Sequence, residues 1–163
     1  MISEKMLKLL NDQVNLEMSS AYLYLSMATW FEDINLSGFA HWMKEQFNEE
    51  MEHAAKIMEY IQDQRCRVTL QAIPAPKLEW QSPLEAFEDA FKHEQHVTAS
   101  ILYIVEEAVK EHDRATQNFL NWFVDEQVEE EKNTDDVVQK LKMLGDAKHA
   151  LYMLDRELAK REG

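Results

Sequence analysis

The chain has 163 residues, enough for one domain with a sizeable core, and 31 acidic residues against 17 Lys and Arg give it a net charge of -14. That balance argues against nucleic acid and anionic membranes as partners and suits cationic substrates, metal ions among them. A single cysteine, Cys66, excludes an internal disulfide framework and fits a reducing, cytoplasmic compartment; Met1-Ile2-Ser3-Glu4-Lys5 does not read as a signal peptide, and no uncharged apolar run reaches membrane-spanning length.

Only 3 Gly and 3 Pro occur, and good helix formers dominate, so the composition predicts an all-α protein with one domain over residues 1–163. The first helix is expected at about 3–33, with Ser3 as its N-cap, and the second at about 37–64 after a tight turn at Ile34-Asn35-Leu36. The third, about 82–112, opens with Ser82-Pro83 and has Glu85 three residues after the serine, a capping-box pattern. The fourth follows a short turn at His112-Asp113, runs from about 114 to 144 and stops at Gly145. A short fifth helix, about 146–162, carries an apolar stripe of Ala147, Leu151, Leu154 and Leu158. The two short turns predict antiparallel hairpins. Between them lies Arg65 to Gln81, with Pro74 and Pro76. Fully extended, these roughly 17 residues reach about 55 Å, more than the about 42 Å of a 28-residue helix. The segment can therefore run the height of a four-helix bundle and make the second and third helices parallel; the alternative is a floppy linker between two hairpins.

The apolar seams are interrupted by charge. Spaced by threes and fours, they read Leu10, Val14, Glu17, Ala21, Tyr24, Ala28, Phe31; then Phe39, Met43, Gln46, Glu50, His53, Ile57, Tyr60; then Leu84, Phe87, Phe91, Glu94, Thr98, Ile101, Val105, Ala108; then Thr116, Leu120, Phe123, Gln127, Glu130, Thr134, Val137, Leu141, Leu144. Each long helix carries one seam acid, and Glu17, Glu50, Glu94 and Glu130 lie at matched depth from their turns. Four buried carboxylates with no basic residue in any seam would be very costly, and a pair of divalent metal ions is the economical counter-charge. Carboxylates bind and bridge hard, redox-active iron, and Glu50-x-x-His53 adds one imidazole on the same face. Tyr24, two turns from Glu17, is either an electron or hydrogen-bond donor to the metals or core filling. Trp122 reads as packing, and His41, His93, His96, His112 and His149 lie off the seams.

A second acidic group sits one residue earlier in register. Glu49, Glu126 and Glu129 precede Glu50, Gln127 and Glu130, so each is turned about 100° off the seam. They are expected to cluster where the second and fourth helices meet, with only Lys132 as a nearby base, either as a third, weaker hard-cation site or as a solvated acidic strip.

On Asn15-Leu16-Glu17, Tyr22-Leu23-Tyr24, Glu49-Glu50-Met51-Glu52-His53, His93-Glu94-Gln95 and the run from Asn118 to Lys132, the chain resembles the bacterial non-haem ferritins over nearly its whole length. The resemblance implies a ferritin-like four-helix bundle with one long crossover and a short fifth helix. It implies iron storage with ferroxidase activity, Fe(II) and O2 (or peroxide) as reactants, and a hollow cage of 24 subunits holding a ferric mineral. By the same similarity, Glu17, Glu50 and His53 hold one iron and Glu50, Glu94 and Glu130 the second. Glu50 bridges them, Gln127 and Tyr24 lie beside the ligands, and Glu49, Glu126, Glu129 and Glu130 form the third iron site.

In one respect the pattern departs from two-histidine relatives. The fourth helix has Gln127-x-x-Glu130 where rubrerythrins and bacterioferritins have a second Glu-x-x-His, so the second iron is expected to bind more weakly. Met51 stands where a haem-ligand reading is tempting; no haem is expected, because non-haem members carry this residue too. A non-catalytic helical scaffold is the rival from another class, and the seam acids speak against it. The apolar stripe of the fifth helix is read as surplus to one bundle and so available for assembly.

Overall fold

Ser3 is extended, and its hydroxyl accepts from Met6 N at 3.0 Å. That cap starts α1, Glu4–Asp33, in the computed structural model, which describes all 163 residues. α2 spans Ser37–Asp63, α3 Pro83–Lys110, α4 Arg114–Leu144 and α5 Lys148–Leu158, with no strand. Ser82 Oγ accepts from Glu85 N at 3.1 Å to start α3, and the Glu85 carboxylate reaches back to Gln81 N. Asp113 caps α4 through Thr116 N at 3.0 Å.

Three helix ends share one solution. Asn35, Arg65 and His112 all have left-handed backbone (φ 62°, 57° and 57°). Each sits between a pair of closing hydrogen bonds: Leu36 N to Phe31 O with Asn35 N to Glu32 O, Cys66 N to Ile61 O with Arg65 N to Gln62 O, and Asp113 N to Ala108 O with His112 N to Val109 O. These are Schellman closures, which satisfy the last carbonyls but favour glycine at the left-handed position.

The crossover is ordered along α1. Thr69 N donates to Asn11 Oδ1 (2.8 Å) and Gln71 Nε2 to Asp12 Oδ1 (2.8 Å). Further along, Ser26 Oγ donates to Lys77 O (2.7 Å), and Trp80 meets Trp30 edge-on at 5.6 Å. Contacts at 11, 12, 26 and 30 climb α1 in order, so the segment traverses the bundle and α2 and α3 run parallel. A floppy linker would make none of them.

The buried stripes of α1 and α4 follow the seams, Leu144 alone being half-buried. The α3 stripe is turned by part of a residue. Ala90, Val97 and Ile104 are buried, while the expected Leu84, Phe91, Thr98 and Val105 are half-buried beside them. The expectation for the fifth helix needs a larger correction. Leu154 and Leu158 are buried against the protein's own bundle, in one cluster with Phe39, Trp42 and Leu141, and Ala147 precedes the helix and is exposed. The stripe is therefore consumed within the chain and is no surplus surface. Two details hold α5 there. Asp155 Oδ1 accepts from Phe39 N at 3.0 Å, supplying the cap that α2 lacks at Leu36. Gly38 allows the approach, because a Cβ there would meet Asp155 O at 1.7 Å. No helix is long and apolar enough to cross a membrane.

Candidate metal centre

Two apolar clusters divide the interior. One gathers Tyr24, Phe31, Phe39 and Phe87 with the Leu154 end of α5; the other gathers Leu10, Ile57, Ile101 and Leu120. Between them the four helices each turn one acid inward: Glu17, Glu50 and Glu94 are fully buried and Glu130 is 2% exposed. His53, one turn after Glu50 on α2, is buried with them.

The ligand-type atoms fall into three overlapping trios, each with its members within 4.8 Å of one another: Glu17, Glu50 and His53; Glu50, Glu94 and Glu130; His53, Glu126 and Glu130. Glu50 belongs to the first two and so stands between them. In the first trio, His53 Nδ1 lies 3.4 Å from Glu50 Oε2 and 3.8 Å from Glu17 Oε2. None of these three atoms has a hydrogen-bond partner, although all are buried. Buried polar atoms left unpaired cost about 1–3 kcal/mol each, more when charged, so three of them converging on one point could hold a cation. Carboxylate oxygens with one imidazole nitrogen suit iron.

Amides and a phenol fix the acids from behind. Gln13 Nε2 donates to Glu17 Oε1 at 3.0 Å, and Gln46 Nε2 donates to Glu50 Oε1 at 3.2 Å and to Glu130 Oε2 at 2.5 Å. Tyr24 Oη donates to Glu94 Oε1 at 2.5 Å and Gln127 Nε2 to Glu94 Oε2 at 3.1 Å. Tyr24 is therefore a hydrogen-bond donor at the centre as well as part of the core. Gln13 escaped the seam reading because it lies off the stripe. Its signal was the repeated spacing Gln13-x-x-x-Glu17 and Gln46-x-x-x-Glu50, which puts an amide one turn ahead of each acid.

The electrostatics follow from burying like charges together. Burial, then the charges of Glu94 and Glu17, pushes Glu50 well above the usual carboxylate range. Burial, then the charges of Glu94 and Glu49, lift Glu130 to about 9 against the pull of His53 and Gln46. Burial also raises Glu94, and the donors Tyr24 and Gln127 partly offset it. Glu17 goes the other way: burial pushes it up, but the pull of His53, Glu50 and Gln13 outweighs that and holds it below its ordinary value. For His53, burial acts downward, yet Glu17, Glu130 and Glu126 outweigh it and bring it to about 9. Burial and three neighbouring carboxylates raise Tyr24 well above a normal phenol, so it remains a donor.

The outer acids fall out differently from the expectation. Glu126 is half-buried and its Oε1 lies 3.8 Å from His53 Nε2, while Glu129 is exposed and joins no trio. Glu49 is paired with Arg161 at 2.9 Å, and Lys132 is bonded to Asp136 instead. The base beside Glu49 comes from the end of the chain, more than a hundred residues away, which helix register on α2 and α4 does not reveal. The charges of Glu129 and Glu49 still reach Glu126, whose carboxyl is raised by burial first and by them after. Trp122 stands edge-on to His53 at 5.5 Å with Lys56 Nζ 4.2 Å from its ring centroid, a packing role as expected. His93, outside the centre, pairs with Ser20 Oγ at 2.6 Å.

Comparison with known proteins agrees over the whole chain. The ferritin-like domain family matches residues 7–144. A bacterial non-heme ferritin of Bacteroides fragilis is 44% identical over 99% of this chain and 100% of its own. One from Staphylococcus haemolyticus is 42% identical over 99% and 97%. Among solved structures, a ferritin from the hyperthermophilic archaeon Archaeoglobus fulgidus, described as an open-pore form, superposes with a TM-score of 0.99 at 50% identity, covering 99% of this chain and 100% of that one. A form of that ferritin engineered to be closed superposes at 0.98 with 49% identity, over 99% of both chains.

Proposed function

The chain belongs to the ferritin family and is an iron-storage protein, and on that premise we propose that its buried carboxylate layer is a ferroxidase centre for Fe(II). The observation that carries the reading is the convergence of Glu17 Oε2, Glu50 Oε2 and His53 Nδ1, all buried and all without a partner. One Fe(II) takes Glu17, Glu50 and His53, and a second takes Glu50, Glu94 and Glu130, with Glu50 shared. The iron is substrate here and passes through to a store. Each Fe(II) gives up one electron; O2 takes both electrons with two protons and leaves as hydrogen peroxide.

The chain's own groups manage the protons. Glu50, Glu130 and His53 all bind protons more tightly than free side chains do, so Fe(II) competes with protons for them. With His53 Nδ1 given to iron, Nε2–H faces Glu126, an arrangement in which a carboxylate orients a ligating imidazole. Gln13, Gln46, Gln127 and Tyr24 keep the carboxylates aimed inward. The second iron has no imidazole and binds more weakly, which suits an ion that must move on. A third cation station, weaker still, uses Glu126 and Glu130 with Glu129 beside them at the half-exposed rim, where Arg161 competes for Glu49. Assembly into a cage of 24 subunits around a ferric mineral belongs to the same proposal, supported by the likeness to ferritins described as open-pore and closed forms, and a cytoplasmic location is proposed with it.

The test is stopped-flow oxidation of Fe(II). His53→Ala and Glu50→Ala are expected to lose the fast phase while circular dichroism stays helical. Fast oxidation persisting in both variants contradicts the assignment. For assembly, a free monomer at micromolar concentration contradicts the cage.

A further inference from the structure

Arg161 lies beyond α5, two residues before the last of the chain, yet its side chain is only 13% exposed. Leu158, buried one turn earlier, carries the tail back onto α2, and His41 Nε2 meets the Arg161 carbonyl at 2.7 Å. The guanidinium stacks on Trp42, 4.2 Å from its ring centroid, and donates to Trp42 O at 3.1 Å. Its other nitrogen, Nη2, donates to Gln46 Oε1 and to Glu49 Oε2, both at 2.9 Å.

Gln46 is fully buried and has one acceptor oxygen and one donor nitrogen to place. A guanidinium only donates, so the Gln46 atom facing Arg161 must be the carbonyl oxygen. The amide nitrogen is thereby turned inward onto Glu50 Oε1 and Glu130 Oε2, and no other hydrogen bond reaches either carboxylate. With the amide reversed, its carbonyl oxygen would face two acids across a few ångströms in a dry interior, which is repulsive. Gln13, the matching amide over Glu17, is held by a neutral donor, Ser100 Oγ at 2.6 Å. Only the α2 amide is oriented by a charge, and that charge arrives from the last residues of the chain.

We propose that Arg161 is a positioning residue for the cation set of Glu50, Glu94 and Glu130, acting through Gln46, while its second contact withdraws Glu49 from cation binding. The inference rests on the reading of the layer as a two-cation site. It makes docking of the C-terminal tail a condition for the weaker of the two sites, so the tail and the second iron are coupled.

The test is anaerobic titration of the full chain with Co(II), which binds such sites without being oxidised by the protein, read by calorimetry and by visible absorption. Two Co(II) per chain are expected in the buried layer in separable steps, ahead of any weaker binding at the rim. Arg161→Ala is expected to weaken the second step about tenfold and alter its absorption band, with the first step within about twofold. Arg161→Lys, which keeps a donor and a charge, is expected to recover part of the loss. Gln46→Met is expected to reproduce the loss, and the double variant to add nothing to it, because both act along one path. A lower melting temperature with both Co(II) steps unchanged overturns the proposal, and so do losses that add in the double variant. If Arg161→Ala does not assemble, Gln46→Met decides: an unchanged second step overturns the proposal. Fewer than two Co(II) in the unsubstituted chain overturns the two-cation reading itself; two Co(II) with no response in the variants overturns only the role of Arg161.

Discussion

Along its axis the bundle alternates between two kinds of interior. At either end, rings and aliphatic chains interlock: Phe31 stacks on Phe39 at 5.1 Å and Trp42 meets Phe87 edge-on at 5.0 Å, while Leu10, Ile57, Ile101 and Leu120 fill the opposite end. At the waist the same helices bury four carboxylates, one imidazole and three glutamine amides. The ends gain from leaving water, at about 25 cal/mol per Å² of apolar surface. The waist loses by it, since each buried ion costs several kcal/mol before any partner is found. Stability is therefore supplied by the ends, and the waist is a strained layer held between them for what it binds.

Substitutions that exchange the character of the two regions give the sharpest contrasts. The largest effect is expected from Glu50→Met, which turns the shared ligand into an apolar side chain of similar length. Fe(II) oxidation should fall to the rate of free Fe(II) in the same buffer. The metal-free protein should become more stable, by about 1–3 kcal/mol, because a buried polar group with an unpaired oxygen is replaced by an apolar one. Loss of both activity and stability would mean that Glu50 is structural. Phe87→Ala, at the apolar end, should do the reverse. It should cost about 3–5 kcal/mol in denaturant unfolding, with the Fe(II) stoichiometry of the folded protein unchanged.

The pH dependence separates the regions next. Glu130 rises from an ordinary 4.5 to about 9 and His53 from 6.5 to about 9 in the folded, metal-free layer. Both then hold more protons folded than unfolded, Glu130 between 4.5 and 9 and His53 between 6.5 and 9. The stability of the metal-free protein should fall as pH rises from 5 to 9. Adding Co(II) should reverse the trend, because the ion competes with those protons and binds more tightly as pH rises. Thermal melts across this range with and without Co(II) check both signs; parallel curves would mean that the waist does not titrate with the fold. The smallest effect belongs to the turns. Arg65→Gly and His112→Gly should each stabilise by about 0.5–1 kcal/mol, relieving a left-handed side-chain residue without touching either interior.

Much of this division was legible in the sequence. The 3–4 spacing placed Glu17, Glu50, His53, Glu94, Gln127 and Glu130 inside before any coordinates, and equal distances from the short turns gave them one depth, because register along a helix is fixed by its rise. Ser3 and Ser82 marked two helix starts through cap chemistry that depends on a few adjacent residues. What spacing within a helix cannot reveal is contact between segments far apart in the chain. The α5 stripe looked surplus because nothing near it announces that Gly38 opens a place for Asp155 and Leu158 on α2. Glu49 looked available for a cation for the same reason: Arg161 reaches it only after the tail has turned back. The α3 stripe was right at Phe87, Glu94, Ile101 and Ala108 and off by one at the positions between, because a helix packed against two neighbours buries two adjacent rows and a single-seam template selects one.

The central claim is that two Fe(II) share Glu50 inside the bundle, and anomalous scattering at the iron edge from crystals soaked anaerobically in Fe(II) tests it most directly. Two peaks per chain are expected in the waist, about 3.5–4 Å apart as in other paired metal sites, with the Glu50 carboxylate between them and His53 on one ion only. A single peak, or iron bound only at exposed acids such as Glu129 with the waist empty, would contradict it.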